Sequence, residues 1–565
     1  MARKWTFGTN SFGSLVTAAA PHLLDSGQLQ VAENVNRDVA GQVSPSKADT
    51  VVHQMTENIN GMKALRYGGA THVFCADENY VYEDGVSIGE SGGNTAHRFF
   101  TDSERVYILN GHANSVWDGT TFRKFGPLGS GRVGTSTAPI AAVFKEPGSG
   151  TPAGLTGAYK WALSYRVTLE SGQVIESQLY STDSVTLVST DGAMVYYKTI
   201  TQATVDAWCA DLGTGKVEGV IWRTKSAGVD YWQQSVIPQA TIVGVNALLF
   251  VYDEVVDADL GAEYLDADNA HGTPPEAADL AVFCQRRLFL AVKGSRTLYF
   301  SGIDQYDYFA PLASVNCEES IEGLDALGES VAVATPTSIR LWSPVDATGQ
   351  WSNSASSAGT TFADGLASTD FGLLFARLDG LYLFDGNSSV RISAAIDPTW
   401  QQYSSYVVAW HGAYANGMGF YTNGIIAVEF KYLGGKFEWS TSSFVQSNVA
   451  IGIVCADPTD NGLWAVNASG QIVRLHLGAS LNTMTIKTKD FGDGNVRHWD
   501  RITVDFSGSL TATILTNRGS TQTCALSSTD RLQDRKMLLA TMIGELCNVT
   551  LVGTGTAHRV ELETT

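Results

Sequence analysis

No stretch of this 565-residue chain stays apolar over the roughly 20 residues that a membrane-crossing helix requires. A spanning helix is therefore excluded. Runs of lysine or arginine are missing too, and the formal net charge is −20. That argues against a sequence-reading nucleic-acid binder, which carries a basic patch. It still permits a surface that DNA slides past, because like charge prevents sticking. The cysteines Cys75, Cys209, Cys284, Cys317, Cys455, Cys524 and Cys547 are odd in number, scattered, and never form Cys-x-x-Cys. They predict reduced, mostly buried thiols in a protein assembled in a cytoplasm. The basic start Met1-Ala-Arg-Lys is followed by polar residues from Thr6 to Ser11, and the apolar piece at 15–20 is short and weak. No classical signal peptide is expected.

What is present points to β-structure. Hydrophobic residues make up 44%, with 57 glycines and 13 tryptophans, which fits a turn-rich all-β globular chain with a length prior of three or four domains. The organising stretch is 372–386, where the apolar runs 373–376 and 381–384 flank Asp379-Gly380. Asp-Gly suits a tight hairpin, since both residues tolerate positive φ. Neither run alternates, so both faces of the hairpin are expected to be buried, Leu383 included.

The unit recurs at 73–83, 106–118, 288–300, 331–342, 419–430 and 463–475. Taking Glu78, Gly111, Gly294, Pro336, Asp379, Asn423 and Ala468 as turn centres, the spacings are 33, 183, 42, 43, 44 and 45. A strand-only period near 40–45 residues is the signature of β-propeller blades. The gap of 183 marks an insertion.

In chain order the expected parts are an N-terminal arm with first strands (1–60), first blades (61–150), an inserted sandwich (151–260), remaining blades (261–480) and a C-terminal β domain (481–565). Gly126 to Thr156 reads as a Gly/Ser/Pro linker. From 155 to 259, seven short strands suit a small β-sandwich, and the segment 159–177 resembles the fibronectin type III module, with Gly172-x-x-x-Glu176-Ser177 at its strand end. The seven carboxylates of 253–268 lack calcium-loop spacing and read as a solvated return linker. The cleanly alternating strands after 481 suggest a second, sandwich-like domain. The fold class is thus all-β: a propeller of six to seven blades, a fibronectin-like insert and a C-terminal sandwich-like domain.

Three stretches carry a family resemblance. The segment 34–43, the Tyr165-Arg-Val-Thr168 run of the insert, and Pro274-Pro275-Glu276 followed by 288–291 are similar to the β-propeller tail proteins of short-tailed bacteriophages. The order of two blades, insert, Pro-Pro and remaining blades resembles the tail nozzle, or tail tube, proteins of podoviruses. The resemblance implies a structural virion protein in the phage tail. It would form a homo-hexamer that continues the DNA ejection channel, contacting the tail adaptor and tail fibre or spike proteins. DNA would pass its lumen without sequence-specific binding, and no membrane insertion or cofactor is implied. The alternative is a glycan-binding or glycan-cleaving propeller acting as a receptor-binding tail protein.

Catalytic patterns are weak. Gly89-Glu-Ser91-Gly-Gly93 fits Gly-x-Ser-x-Gly with His97 nearby, but a nucleophile elbow needs a strand before it and a helix after it. Gly129-Ser-Gly131-Arg-Val-Gly134 lacks the helix a dinucleotide site requires. Asp490-Phe491-Gly492 reads as a turn, and Gly111-His112 with Trp117-Asp118 is spaced too closely for a WD repeat. There is no His-Glu-x-x-His, no Cys/His cluster, and no Ser-x-Asp-x-Gly-x-Thr-Trp box of sialidase propellers. The expectation is no enzyme, with no catalytic, cofactor or metal residues. Arg286, Arg287 and the stretch 531–536 are the places where cations gather.

Overall fold

The computed structural model describes the chain except residues 1–4, 10, 37–41, 56–57, 94, 127–139, 148–154, 170–173, 178, 182–183, 213–214, 245–246, 265–273, 311–312, 344–348, 405–408, 425, 434, 443–453, 461, 468 and 565. Strand accounts for 58% of it and helix for 6%, so the class is all-β. Two compact units emerge, one of Met1–Arg66, Ala70–Arg98 and Glu322–Thr565, the other of Tyr67–Gly69 and Phe99–Ile321. Among the described residues no helix is long and apolar enough to cross a membrane.

The first unit is built from antiparallel meanders of four strands. Gly372–Arg377 and Gly380–Phe384 are the middle strands of one of them, flanked by Leu366–Thr369 and Ser389–Arg391. Leu373, Leu374, Phe375 and Ala376 are all fully buried, which explains a run with no alternation. Leu383 departs from expectation: it is half-buried. The turn also sits one residue early, since Arg377 pairs with Gly380 and leaves Leu378-Asp379 as the central residues. Neither takes a positive φ; Gly380 does, at +154°. A Cβ there would lie 2.6 Å from Ser393 Oγ, so glycine is required.

The same meander holds Gly61–Tyr67 to Val86–Glu90 and Gly323–Leu327 to Gln350–Ala355. Two further meanders recruit the N-terminus. Val454–Ala456, Leu463–Val466 and Gln471–Arg474 are completed by Thr50–Gln54, antiparallel to the last. His411–Ala415 to Lys436–Ser442 continues through Leu29–Glu33 into Met484–Thr488, Cys547–Gly553, Arg497–Thr516, Thr556–Thr564 and Trp5–Thr9, one hydrogen-bonded sheet of eleven strands counting Thr521–Gly544. The long strand Arg497–Thr516 changes partner midway, pairing with Thr556–Thr564 up to Ser507 and with Cys547–Gly553 from Leu510. Gly508, at φ +81°, stands at that corner. One core runs beneath it, from Phe12, Leu15 and Leu29 to Trp439, Trp499 and Val549.

The second unit contains two meanders, Arg98–Thr101 to Phe122–Lys124 and Leu280–Cys284 to Ser314–Asn316, together with the insert. The insert is two sheets around a core of Trp161, Tyr165, Val195 and Trp208. One sheet carries Ile140–Pro147, Leu155–Tyr159, Val185–Lys198 and Leu248–Asp253; the other carries Trp161–Leu169, Val174–Glu176, Tyr180–Ser181, Gly215–Thr224 and Tyr231–Pro238. Ser177 Oγ accepts from the Tyr165 backbone N–H at 2.9 Å, which pins the Glu-Ser end of the strand.

Three expectations are corrected here. The stretch read as a linker contains the strand Ile140–Pro147, paired with Val185–Lys198. The two strands read at 184–188 and 193–200 are one, and the helix Gln202–Leu212 follows it. The acidic run is not simply solvated: Asp253 is fully buried and accepts hydrogen bonds from Trp161 Nε1 at 2.7 Å and Arg223 Nη1 at 2.9 Å. Residues 265–268 of that run lie outside the described residues.

Two measurements follow. Leu374→Ala should cost about 2–5 kcal/mol, and Leu383→Ala about half as much, because the latter empties a partly solvated site; urea titration that ranks them equally would contradict the burial. Gly126 and Pro274 lie side by side, since a Cβ on Gly126 would come within 2.6 Å of Pro274 Cδ. Replacing 127–273 by a short Gly/Ser linker should therefore leave a soluble folded protein. Excising 155–259 instead leaves Ile140–Pro147 without its partner strand and should aggregate. The reverse solubility pattern would show that the insert boundaries are misplaced.

Candidate functional site

Buried charge in this protein falls into clusters that can be compared by how well each carboxylate is satisfied. Asp307 accepts from Arg123 Nη2 at 3.0 Å and Arg105 Nη1 at 2.8 Å. Burial pushes its carboxyl up, but the two guanidiniums outweigh this and hold it below the usual range. Asp457 accepts from Trp464 Nε1 at 3.0 Å, Arg474 Nη1 at 2.6 Å, and the backbone N–H groups of Thr459 and Asp460. Asp253 is surrounded in the same way. These acids spend their acceptor capacity on the fold and read as structural anchors.

The Glu429–His476 pair differs. Glu429 is 6% exposed and Oε1 has no hydrogen-bond partner; His476 Nε2 lies 3.2 Å away but off the hydrogen-bonding line. His476 is held from the other side, its Nδ1 donating to the Lys47 carbonyl at 3.3 Å and its backbone N–H to Asp49 Oδ1 at 3.1 Å. Its φ is +56°, a conformation that strains a non-glycine residue. Burial alone would lower the pKa of the imidazole, but Glu429, aided by Asp49, outweighs it and raises it to about 9. Burial also raises the Asp49 carboxyl, against the pull of His476.

The pair opens onto a cavity of about 230 Å³. Its floor is the hairpin Ala427–Leu433 and Lys436–Ser442, where Glu429 pairs across the ladder with Ser440 and Lys431 with Glu438. Strand alternation places these four side chains on one face. The roof comes from the N-terminal segment: Asn36, whose Oδ1 accepts from Lys431 Nζ at 3.1 Å, and Ser46. Met418 closes one side with an apolar surface. The arrangement can hold a small polar molecule.

The sequence motifs fare otherwise. Ser91 is buried, and the His97 ring is clamped between the carbonyl oxygens of Thr95 at 2.7 Å and Ser91 at 2.8 Å. Neither ring nitrogen is aimed at the Ser91 hydroxyl, so the two do not form a nucleophile–base pair. The glycines Gly129, Gly131 and Gly134 lie outside the described residues. Asp490 accepts from Gln30 Nε2 at 2.9 Å and Asn548 Nδ2 at 2.8 Å, fastening strands of the eleven-stranded sheet. Trp117 ends a strand, and Asp118 Oδ1 caps the following turn through the backbone N–H groups of Thr120 and Thr121. Arg286 is paired with Asp304, and Arg287 Nη1 donates to the Ser301 carbonyl at 2.8 Å. The side chains of 531–536 lie outside the described residues. Among the described residues no group of three or more His, Cys, Asp or Glu is arranged to hold a metal.

The raised pKa of His476 makes a signed prediction. Its folded-state value lies above the unfolded one near 6.5, so the ion pair contributes fully below pH 6.5 and is lost as pH rises through about 9. Between pH 6 and pH 9.5 the wild type should lose roughly 3 kcal/mol more unfolding free energy than His476→Asn. Asparagine tolerates the positive φ and does not titrate. Equal losses in both proteins would show that the imidazole is not charged in the fold.

No protein-family model and no curated protein matches the sequence. Among solved structures, the Pan2 WD40 domain of Neurospora crassa is similar over 47% of this chain and 86% of its own, at 8% identity and a TM-score of 0.27.

Proposed function

We propose that this chain is a seven-bladed β-propeller serving as a structural ring component, the nozzle of a short-tailed phage tail, through which DNA leaves the capsid. The observation that carries the reading is the order of sheets along the chain. Two four-stranded meanders are followed by a two-sheet insert, then Pro274-Pro275, then five more meanders, the last finished by the N-terminal strand Thr50–Gln54. That order is the one the resemblance to podoviral nozzle proteins implies. Closing the last sheet with a strand from the other end of the chain suits a ring of blades, which leaves few unprotected edges.

The mechanism on this reading is geometric. Six copies surround a channel, and a chain of net charge −20 offers phosphates no fixed row of cations, so no counterions are released on contact and DNA slides. The cation pair at Arg286 and Arg287 is engaged within the fold, by Asp304 and by the Ser301 carbonyl. The adaptor above and fibres or spikes beside the ring would be its protein partners.

Native mass spectrometry and negative-stain microscopy of the purified protein test the assembly. Six-fold rings are expected, whereas a stable trimer favours a spike and a persistent monomer contradicts the nozzle. In the same preparation, duplex DNA should show no mobility shift at physiological salt. Salt-sensitive micromolar binding would mean that the channel grips DNA.

A further inference from the structure

The geometry points to the cavity over Glu429, Lys431, Glu438 and Ser440 as a binding site for a single saccharide unit. This goes beyond the nozzle reading and does not depend on it, because the whole cavity is built within one chain.

One hydrogen-bond demand in the cavity is unmet. Glu429 Oε1 is buried without a hydrogen-bond donor, and such a vacancy costs a carboxylate more than it costs a neutral group. His476 supplies charge at 3.2 Å but not a well-directed bond. A ligand hydroxyl entering the cavity would supply the donor.

The charge pattern then selects the class. The lining carries both signs of charge: Glu429 lies 3.2 Å from His476, Lys431 stands across the ladder from Glu438, and Lys47 joins from the N-terminal segment. A purely anionic or cationic ligand would meet a like charge in this lining as well as an opposite one, which costs more the drier the site. A hydroxyl can donate to a carboxylate and accept from an ammonium at once, so neighbouring hydroxyls on a sugar ring fit both pairs without breaking either. Ser440 and Asn36 add further uncharged polar groups, and Met418 offers an apolar patch for ring C–H groups. Size agrees: about 230 Å³ lies below the range of roughly 300–1,000 Å³ typical of drug-sized sites, so one ring rather than an oligosaccharide is held.

Ligand-observed NMR on the full chain tests the site with glucose, galactose, mannose and N-acetylglucosamine, each titrated through the millimolar range, and with glycine and lysine as zwitterionic probes. At least one sugar should saturate. Lys431→Ala and Glu438→Gln should each weaken it at least about tenfold, the loss of one hydrogen bond to a charged group, with an unchanged thermal midpoint. Val390→Ala, at an exposed position on another sheet, should leave binding as it is. Should either cavity variant unfold, Ser440→Ala replaces it as the reporter. Absence of saturable binding by every sugar overturns the assignment. So does sugar binding that neither cavity variant changes. Saturation by glycine or lysine alone would also overturn it, making the cavity a site for an ammonium or a zwitterion. None of these outcomes bears on whether six-fold rings form, so the two readings fail separately.

Discussion

The eleven-stranded sheet and the last meander of the larger unit depend on backbone pairing between strands of the N-terminal segment and strands far along the chain, from Lys436–Ser442 onward. Strand edges expose unpaired N–H and C=O groups that must be covered or paired. Here the N-terminal segment does that work three times. Thr50–Gln54 completes one meander, Leu29–Glu33 joins Lys436–Ser442 to Met484–Thr488, and Trp5–Thr9 pairs with Thr556–Thr564. Without Leu29–Glu33 the meander ending at Ser442 and the C-terminal strands would be separate sheets. Their shared core, running from Leu29 to Trp439 and Ile486, would have no continuous floor.

The same stitching creates the candidate site. Its roof is N-terminal, its floor is the hairpin of residues 427–442, and its His476 follows the meander that Thr50–Gln54 closes. The cavity is therefore a product of long-range strand pairing rather than of any local motif. It exists where three distant segments are brought together, and its most strained residue, His476, lies at the junction.

This explains what was legible beforehand. All seven hairpins read from apolar runs are the middle strands of four-stranded meanders, because the first strand of each is buried along nearly all of its length and leaves a contiguous signal. Their outer neighbours, such as Val86–Glu90 and Ser389–Arg391, are short and half-exposed, and carry none. Ile140–Pro147 was hidden because its flanks are rich in Gly, Ser and Pro, and its partner lies some fifty residues on. Asp253 looked like one acid among seven, and only Arg223 and Trp161 beside it reveal its role. At the site, the one local hint was a hairpin with Glu429, Lys431 and Glu438 on a single face. His476 could not be assigned to it, since no periodicity links it to Glu429, 47 positions earlier. Conversely, Ser91 and His97 were conspicuous in the sequence and turned out to serve a loop.

The strand that finishes the last meander also sets a clock on biosynthesis. Gln54 is hydrogen-bonded to Gln471, 417 positions later. At about 5–20 residues per second, the ribosome exposes Thr50–Gln54 some 20–80 s before its partner emerges. During that interval Val51 and Val52 sit in a bare β-strand, the kind of segment that pairs with the wrong neighbour on a crowded polysome. Slow translation would lengthen the vulnerable window and a chaperone that holds the nascent N-terminus would shorten its consequences, so the yield of native protein should depend on elongation rate far more than its equilibrium stability does.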